Sequence, residues 1–544
     1  MIARADAPAR ALPVVAPAAS GAEGGCASTG GSCGCHGGAE RLLQAERGER
    51  AAVLDQLRRD YPLGPHDQPQ GMCPAFGSLR VGLRMHRTAT VLSGSACCVY
   101  GLTFTSHFYG ARRTVGYVPF NSETLVTGQL FEDIRRALTD LADPERYDTI
   151  VMTNLCIPTA SGVPLDRLPD QINGVRIIGI DVPGFGVPTH AEAKDVLAGA
   201  LLRYARREAE HGPVPRPANL VTDRPTVTLL GELFPADPIG IQHLLDPLDV
   251  AVGCTVPPRE WRELYKALDC AVAAAIHPFY VASVRELEAA GRPVVGSGPV
   301  GVDGTAAWLR AIGDRTGTAS RFIDEAVDKA TRETRAALDR FPLRGRISLS
   351  GYEGSELLVA RLLVESGAEV PYVGTALPRT PWSAADAEWL EAHGCHVQFR
   401  ASLEQDVVAF RDLNPDLVVG TTPVVQAAKE AGIPALYFTN LISARPIFGV
   451  AGAGSLASTL QGALASREPL QRMRAFFSGV GTGHAVGYGW RDVPQKPLAA
   501  RERHARARRP DSGADTDTRA RVERSARAKG SLRTSDSTAP GEDA

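Results

Sequence analysis

Short β-branched runs alternate with amphipathic segments along most of the 544-residue chain, and that alternation restricts the fold more than any other feature. Strands joined through helices pair in parallel, with the helices covering the sheet faces. The strand-forming runs are TATVLSG, DTIVMTN, GVRIIGID, PTVTLLG, CAVAAAI, RPVVGSG, GRISLSG, DLVVGTT and PALYFTN, set off by turn residues. The stretch GRISLSGYEGSELLVARLLVESGAEVPYVGT reads as strand, turn, helix and strand, one complete βαβ unit. A further helix is predicted where Ser122 can act as the cap with Glu123 in the first turn. Leu130, Phe131, Ile134, Leu138 and Leu141 then recur at helical spacing.

A single core rarely grows far beyond about 250 residues, so a chain of this length is multidomain. Two Pro-rich stretches, HGPVPRPANLVTDRP ending near Pro225 and DRFPLRGR near Pro342, are each followed by a fresh strand. The expectation is three α/β domains of parallel-sheet type at 41–220, 221–342 and 343–490. Residues 1–40 are rich in Ala, Gly, Pro and Ser with almost no large apolar side chain after Val15, and are read as a disordered tail. Residues 491–544 mix Arg with Asp, Glu, Ser and Thr and are read as a second disordered, mixed-charge tail. With 59 Lys and Arg against 61 Asp and Glu, net −2, no overall basic field exists to bind nucleic acid, and the Arg-rich RERHARARR is read as solvated. No run reaches the roughly 18 apolar residues of a membrane helix, and the N-terminus lacks a signal-peptide core. A cytoplasmic location is the expectation.

Several familiar motifs tempt and then fail. GSGPVG (Gly296, Gly298, Gly301) fits G-x-G-x-x-G after a strand-like run, but Pro299 and VDG stand before the predicted helix TAAWLRAI, and no acidic residue ends a following strand at the right distance. Dinucleotide binding is therefore not expected. A Walker A loop is absent, as are HExxH and EF-hand patterns. His277 in AAIHPFY ends a strand, where α/β sites gather, although a hydrogen-bonded structural histidine fits the same position.

The ten cysteines are too dilute for a disulfide scaffold, which leaves metal binding, catalysis or burial. Cys254, Cys270 and Cys395 sit in apolar, strand-like surroundings and are read as small buried hydrophobes. CASTGGSCGCH (Cys26, Cys33, Cys35, His36) matches no established zinc spacing. Cys73 (GMCPAFG), Cys98 (GSACCVYG) and Cys156 (TNLCIPTAS) differ from these. Each lies in a turn with Gly, Pro or Ser beside a strand end or helix start, where backbone N–H groups stabilise a thiolate. Soft thiolates select iron–sulfur clusters, zinc or copper. The wide spacing means that separate loops deliver the ligands, and three of them leave a tetrahedral site one short.

A cysteine before a strand, a G-x-x-x-C-x-Y turn and a cysteine after a strand, in that order, resemble the nitrogenase molybdenum–iron protein family. The strings QPQGMCPAFGSLRVGLRM, SGSACCVYGLTFTSHFYGARRTVGYVPFNSETLVTGQLFEDI and IDVPGFGVPTHAEAKDVLAGA are similar to its nitrogenase-like branch that reduces chlorophyllide a in bacteriochlorophyll synthesis. The resemblance spans about 60–480 and excludes both tails. It implies three Rossmann-like domains of the nitrogenase component 1 type, in a heterotetramer with a partner subunit, Z. It implies a [4Fe–4S] cluster held by Cys73, Cys98 and Cys156 together with one cysteine of the partner, and no nucleotide on this chain. The motif register from Gly94 falls on Cys98, which leaves Cys97 as a packed neighbour. The reaction implied is reduction of the C7=C8 bond of chlorophyllide a, with electrons from a separate ATP-hydrolysing iron–sulfur protein, X. Phe104, His107, Phe108 and Tyr109, Pro183 to Phe185, and His277 to Tyr280 could line a flat apolar pocket or belong to the core. Two other readings stay open: a subunit similar to protochlorophyllide reductase, and a scaffold for cluster or cofactor assembly.

Overall fold

The computed structural model describes residues 73–103, 115–214, 223–231, 238–443, 445 and 447–476, all within one unit, Gln56–Ala544. Both expected tails lie outside the described residues, and so do Cys26, Cys33, Cys35, His36, Phe104, His107, Phe108 and Tyr109. Three sheets follow one another along the chain. The first contains β1 (Thr88–Ser93), β2 (Val115–Val118), β3 (Thr149–Asn154), β4 (Gln171–Ile172) and β5 (Val175–Asp181), in the order β2-β1-β3-β5-β4. The second contains β6 (Thr226–Leu230), β7 (Ala251–Val256), β8 (Val272–Ala275) and β9 (Val294–Gly296), in the order β7-β6-β8-β9. The third contains β10 (Arg346–Gly351), β11 (Glu369–Thr375), β12 (His396–Phe399), β13 (Leu417–Gly420) and β14 (Ala435–Tyr437), in the order β12-β11-β10-β13-β14. Every pairing is parallel except that of β4 with β5.

Central strands are apolar on both faces because helices cover both. On one face of the first sheet, Leu130, Ile134 and Leu138 pack on Val91, Ile150 and Met152. On the other, Leu79 and Leu83 from helix Ala75–Arg84 and Leu197 and Leu201 from helix His190–His211 pack on Leu92, Val151 and Ile178. These two helices approach so closely that a Cβ added at Gly77 would strike the His190 carbonyl. A larger core joins the second and third sheets through Trp308, Leu309, Leu363 and Leu456.

Two helix starts differ from expectation. Asn121, not Ser122, caps helix Ser122–Val126, in a reciprocal pair with Thr124. Gly128, at φ 75°, separates that turn from helix Gln129–Leu141, whose Leu130, Ile134 and Leu138 are buried. Helix Gly301–Thr316 opens inside the GSGPVG motif and not after it. Its first N–H groups are already engaged: Glu365 accepts from Val302 and, at 3.0 Å, from Asp303. The same arrangement recurs at helix Val281–Ala289, where Asp195 accepts from the N–H groups of Ala282 (2.6 Å) and Ser283 (2.9 Å). In the turn before helix Glu356–Glu365, the Glu356 carboxylate accepts from the N–H groups of Glu353 (2.7 Å) and Gly354 (3.0 Å). An anion site that α/β folds commonly offer to phosphate is thus filled by the protein's own carboxylates at helices Val281–Ala289 and Gly301–Thr316.

Candidate metal centre

The site grows from one row of the first sheet. Ser93 pairs with Asn154 and Asn154 with Asp181, so β1, β3 and β5 end level. Leu155 N–H donates to Ser93 O at 2.8 Å and Val182 N–H to Asn154 O at 3.0 Å, which carries the alignment one residue past the strands. The Asn154 amide, donating to Asp181 Oδ1 at 3.0 Å and Val163 O at 3.1 Å, fixes the two loops to each other. β1 has β2 on one side and β3 on the other. This is the switch point at which an open parallel sheet leaves a crevice beyond its carboxyl edge.

Three cysteines reach that edge. Cys98 lies in the first turn of helix Ala96–Thr103, directly after β1. The tight exit from β1 requires Gly94, because a Cβ there would overlap the Leu155 side chain. Cys156 is the first residue of helix Cys156–Ala160 after β3. Its Sγ accepts a hydrogen bond from Gly184 N–H at 3.1 Å, across from the loop that follows β5. Cys73 precedes Pro74 and helix Ala75–Arg84, and its carbonyl accepts from Phe76 N–H at 3.0 Å.

The thiols sense one another. Burial pushes Cys73 up, the Ala75 N–H opposes this, and the charge of Cys156 adds to the rise. Cys98 is pushed up to about 11 by burial first, then by Cys97, Cys73 and Cys156. Gathering negative charge in one place is unfavourable unless a cation is present to compensate it. Cys97 differs from Cys98 in its contacts. It was expected to pack into the interior, but it is exposed, with its Sγ 3.0 Å from Ser95 Oγ. The Ser95 contact and then Cys98 hold its thiol below the usual range. Among the described residues no three His, Cys, Asp or Glu side chains close around a single ion.

The rim is apolar and unusually bare. Tyr100 is 83% exposed, Phe185 49% and Ile157 42%, each next to or within two residues of Cys98, Gly184 or Cys156. Such a patch beside a ligand set marks an interaction surface. The other pocket candidates divide. Pro183 is buried, whereas His277, Phe279 and Tyr280 belong to the core. His277 packs on Phe279 and Phe448, and backbone closes over the group at Gly231 and Gly354, where an added Cβ would meet His277 and Phe279. Cys254, Cys270 and Cys395 are buried, as expected.

Three parallel sheets in series, with Cys73, Cys98 and Cys156 beside the carboxyl edge of the first, are the architecture of the nitrogenase component 1 type. The chain belongs to that family, described as nitrogenase component 1 type oxidoreductase, which matches residues 73–465. Within it, the chain is 64% identical over 471 residues to the chlorophyllide reductase 52.5 kDa chain of Cereibacter sphaeroides, covering 87% of this chain and 94% of that protein. The chain of the same name from Rhodobacter capsulatus is 64% identical over 463 residues, covering 85% and 93%. Light-independent protochlorophyllide reductase subunit N of a Synechococcus species is 25% identical over 298 residues, covering 54% and 68%. A solved structure, "Nitrogenase Cp1 at pH 6.5", superposes with a TM-score of 0.59 at 16% identity over 74% of this chain and 93% of that one, a likeness of fold. Proteins of this family are multisubunit iron–sulfur oxidoreductases. No described helix is long and apolar enough to cross a membrane.

Proposed function

We propose that this chain is the Y-type subunit of chlorophyllide a reductase, which reduces the C7=C8 bond of the chlorophyllide ring in bacteriochlorophyll synthesis. The observation that carries this reading is 64% identity over 87% of the chain to a chlorophyllide reductase chain, against 25% over 54% to a protochlorophyllide reductase subunit. Cys73, Cys98 and Cys156 would hold a [4Fe–4S] cluster, completed by one thiolate of the Z subunit. When bound, such a cluster supplies electrons singly at low potential. The chain's own contribution is placement. The Ala75 N–H faces Cys73, and the Gly184 N–H draws charge from Cys156 Sγ, an interaction that tunes cluster potentials. Tyr100, Ile157 and Phe185 would be covered by Z, which excludes water from the thiolates. ATP hydrolysis is assigned to protein X, since the sequence has no Walker A loop.

The test is anaerobic reconstitution of Y, Z, X and ATP with chlorophyllide a, following bacteriochlorin absorption. Product formation dependent on every component supports the reading. Cluster loading without turnover would favour an assembly scaffold, and turnover of protochlorophyllide in its place would favour the sister enzyme.

A further inference from the structure

The three thiols are not held alike. Cys73 precedes and Cys98 lies in a helix that packing fixes: Ala75–Arg84 buries Leu79, Val81 and Leu83, and Ala96–Thr103 buries Val99 and Leu102. Helix Cys156–Ala160 has five residues and buries Pro158 alone. A helix that short is not stable by itself, and one apolar anchor does not fix its rotation. The position of Cys156 therefore depends on polar ties.

Those ties converge on Asp181, the last residue of β5. One oxygen of its carboxylate accepts from Asn154 Nδ2 at 3.0 Å and from Thr159 Oγ1 at 3.1 Å. Thr159 belongs to the Cys156 helix. Asn154 is the fully buried end of β3, and its amide also donates to Val163 O at 3.1 Å, in the turn that leaves that helix. Three residues past Asp181, the Gly184 N–H donates to Cys156 Sγ at 3.1 Å. The far end of this loop is anchored separately. Thr189 caps helix His190–His211, and His190 Nε2 lies 3.2 Å from Glu353 Oε2. At the near end, the Asp181 side chain joins the loop to the helix that carries the thiol.

We propose that Asp181 is a positioning residue for Cys156: through Thr159 it fixes the ligand's helix against the loop that supplies the Gly184 N–H, and so preserves the N–H···S bond. The inference rests on the cluster reading above. Cutting the tie leaves the helix free to turn about Pro158, and the sulfur loses its donor. A thiolate with fewer N–H donors carries more negative charge, which disfavours the added electron and lowers the cluster potential. A ligand that is less well oriented also releases its metal faster. A carboxylate that merely closed the end of the sheet would alter neither property, because backbone pairing already aligns β1, β3 and β5.

The experiment uses the assembled Y–Z complex, loaded anaerobically, and compares wild type with Asp181→Ala, Asp181→Asn and Thr159→Val. Asparagine keeps a carbonyl oxygen able to accept from both donors, whereas Asp181→Ala and the isosteric Thr159→Val break the tie from opposite sides. Asp181 is exposed and Thr159 partly so, which leaves the fold intact. The readouts are iron release to bathophenanthroline disulfonate and the midpoint potential from an EPR-monitored titration, neither of which requires turnover. Asp181→Ala and Thr159→Val are expected to release iron about 10- to 100-fold faster. Their reduced-to-oxidised ratio at a fixed potential should fall about tenfold, equivalent to about 59 mV for one electron. Asp181→Asn is expected to retain the wild-type values. Asp181→Ala indistinguishable from wild type in both readouts would overturn the placement role. So would an Asp181→Asn variant as impaired as Asp181→Ala, because charge and not the tie would then be operative. A wild-type complex that takes up no cluster would overturn the cluster reading and the placement role with it, an outcome distinct from the other two.

Discussion

Replacing the two adjacent cysteines one at a time gives the sharpest test of the metal centre. Both side chains are exposed, so neither truncation leaves a cavity, and each should change folding stability by no more than about 0.5 kcal/mol. Cys97→Ala also loses the 3.0 Å contact with Ser95, an exposed hydrogen bond worth at most about 1 kcal/mol. The melting temperature of either variant should therefore shift by less than about 2 °C. Their effects on iron should differ completely. Cys98 is in register with the G-x-x-x-C motif from Gly94 and feels the charges of Cys73 and Cys156. Removing a group that only orients a metal ligand lowers affinity about 10- to 100-fold, and loss of the ligand itself exceeds that. The assay is iron content and visible charge-transfer absorption of each variant assembled with its partner, after anaerobic desalting, beside a thermal melt. Cys98→Ala should emerge without iron and still folded; Cys97→Ala should retain a full cluster. Iron retained by Cys98→Ala but lost from Cys97→Ala would place the ligand one residue earlier and refute the grouping.

Other outcomes follow from the same geometry. Gly77→Ala drives a Cβ into the His190 carbonyl, where backbone cannot yield, so destabilisation of about 3 kcal/mol or more is expected by chemical denaturation. Glu356 is pushed up to about 7, chiefly by burial, against an ordinary 4.5; the native state thus retains a proton that the unfolded state has lost. Its contribution to stability is largest below about pH 4.5 and declines until about pH 7, and Glu356→Gln should flatten the measured stability slope in that window. Phe185→Asp, at a 49% exposed rim position, should weaken association with the partner at least tenfold, about 1.4 kcal/mol, in sedimentation, without altering the melt of the isolated chain.

The sequence disclosed central strands far better than edges. All nine apolar runs contain strands; seven are central, where burial on both faces writes a continuous signature, and β9 and β14 are edges. The strands that no run announced, β2, β4, β7 and β12, each lie at a sheet edge, where one flank is unpaired and residues such as His396 and Gln398 are tolerated. The three thiols were legible because each depends on its own turn. The bond from Gly184 to Cys156 spans 28 positions and the His190–Glu353 pair 163, and local patterning carries no trace of such pairings. GSGPVG was set aside for a late helix start, yet the helix opens inside the motif and Glu365, from a distant helix, takes its N–H groups. Cys97 was expected to be interior because a small thiol usually is, and the turn held open by Gly94 leaves it outside.

The carboxylates at the helix starts bear on how the molecule comes apart. Asp195, from a helix on the first sheet, and Glu365, from a helix of the third, both terminate on helices of the second. An excised second sheet would therefore have two helix ends with bare N–H groups, and its neighbours would have two carboxylates without donors. Cooperativity is the result. Loosening one sheet withdraws partners from the next, so the described region should melt in a single calorimetric transition, and limited proteolysis should yield either the intact region or small peptides, without a stable one-sheet fragment.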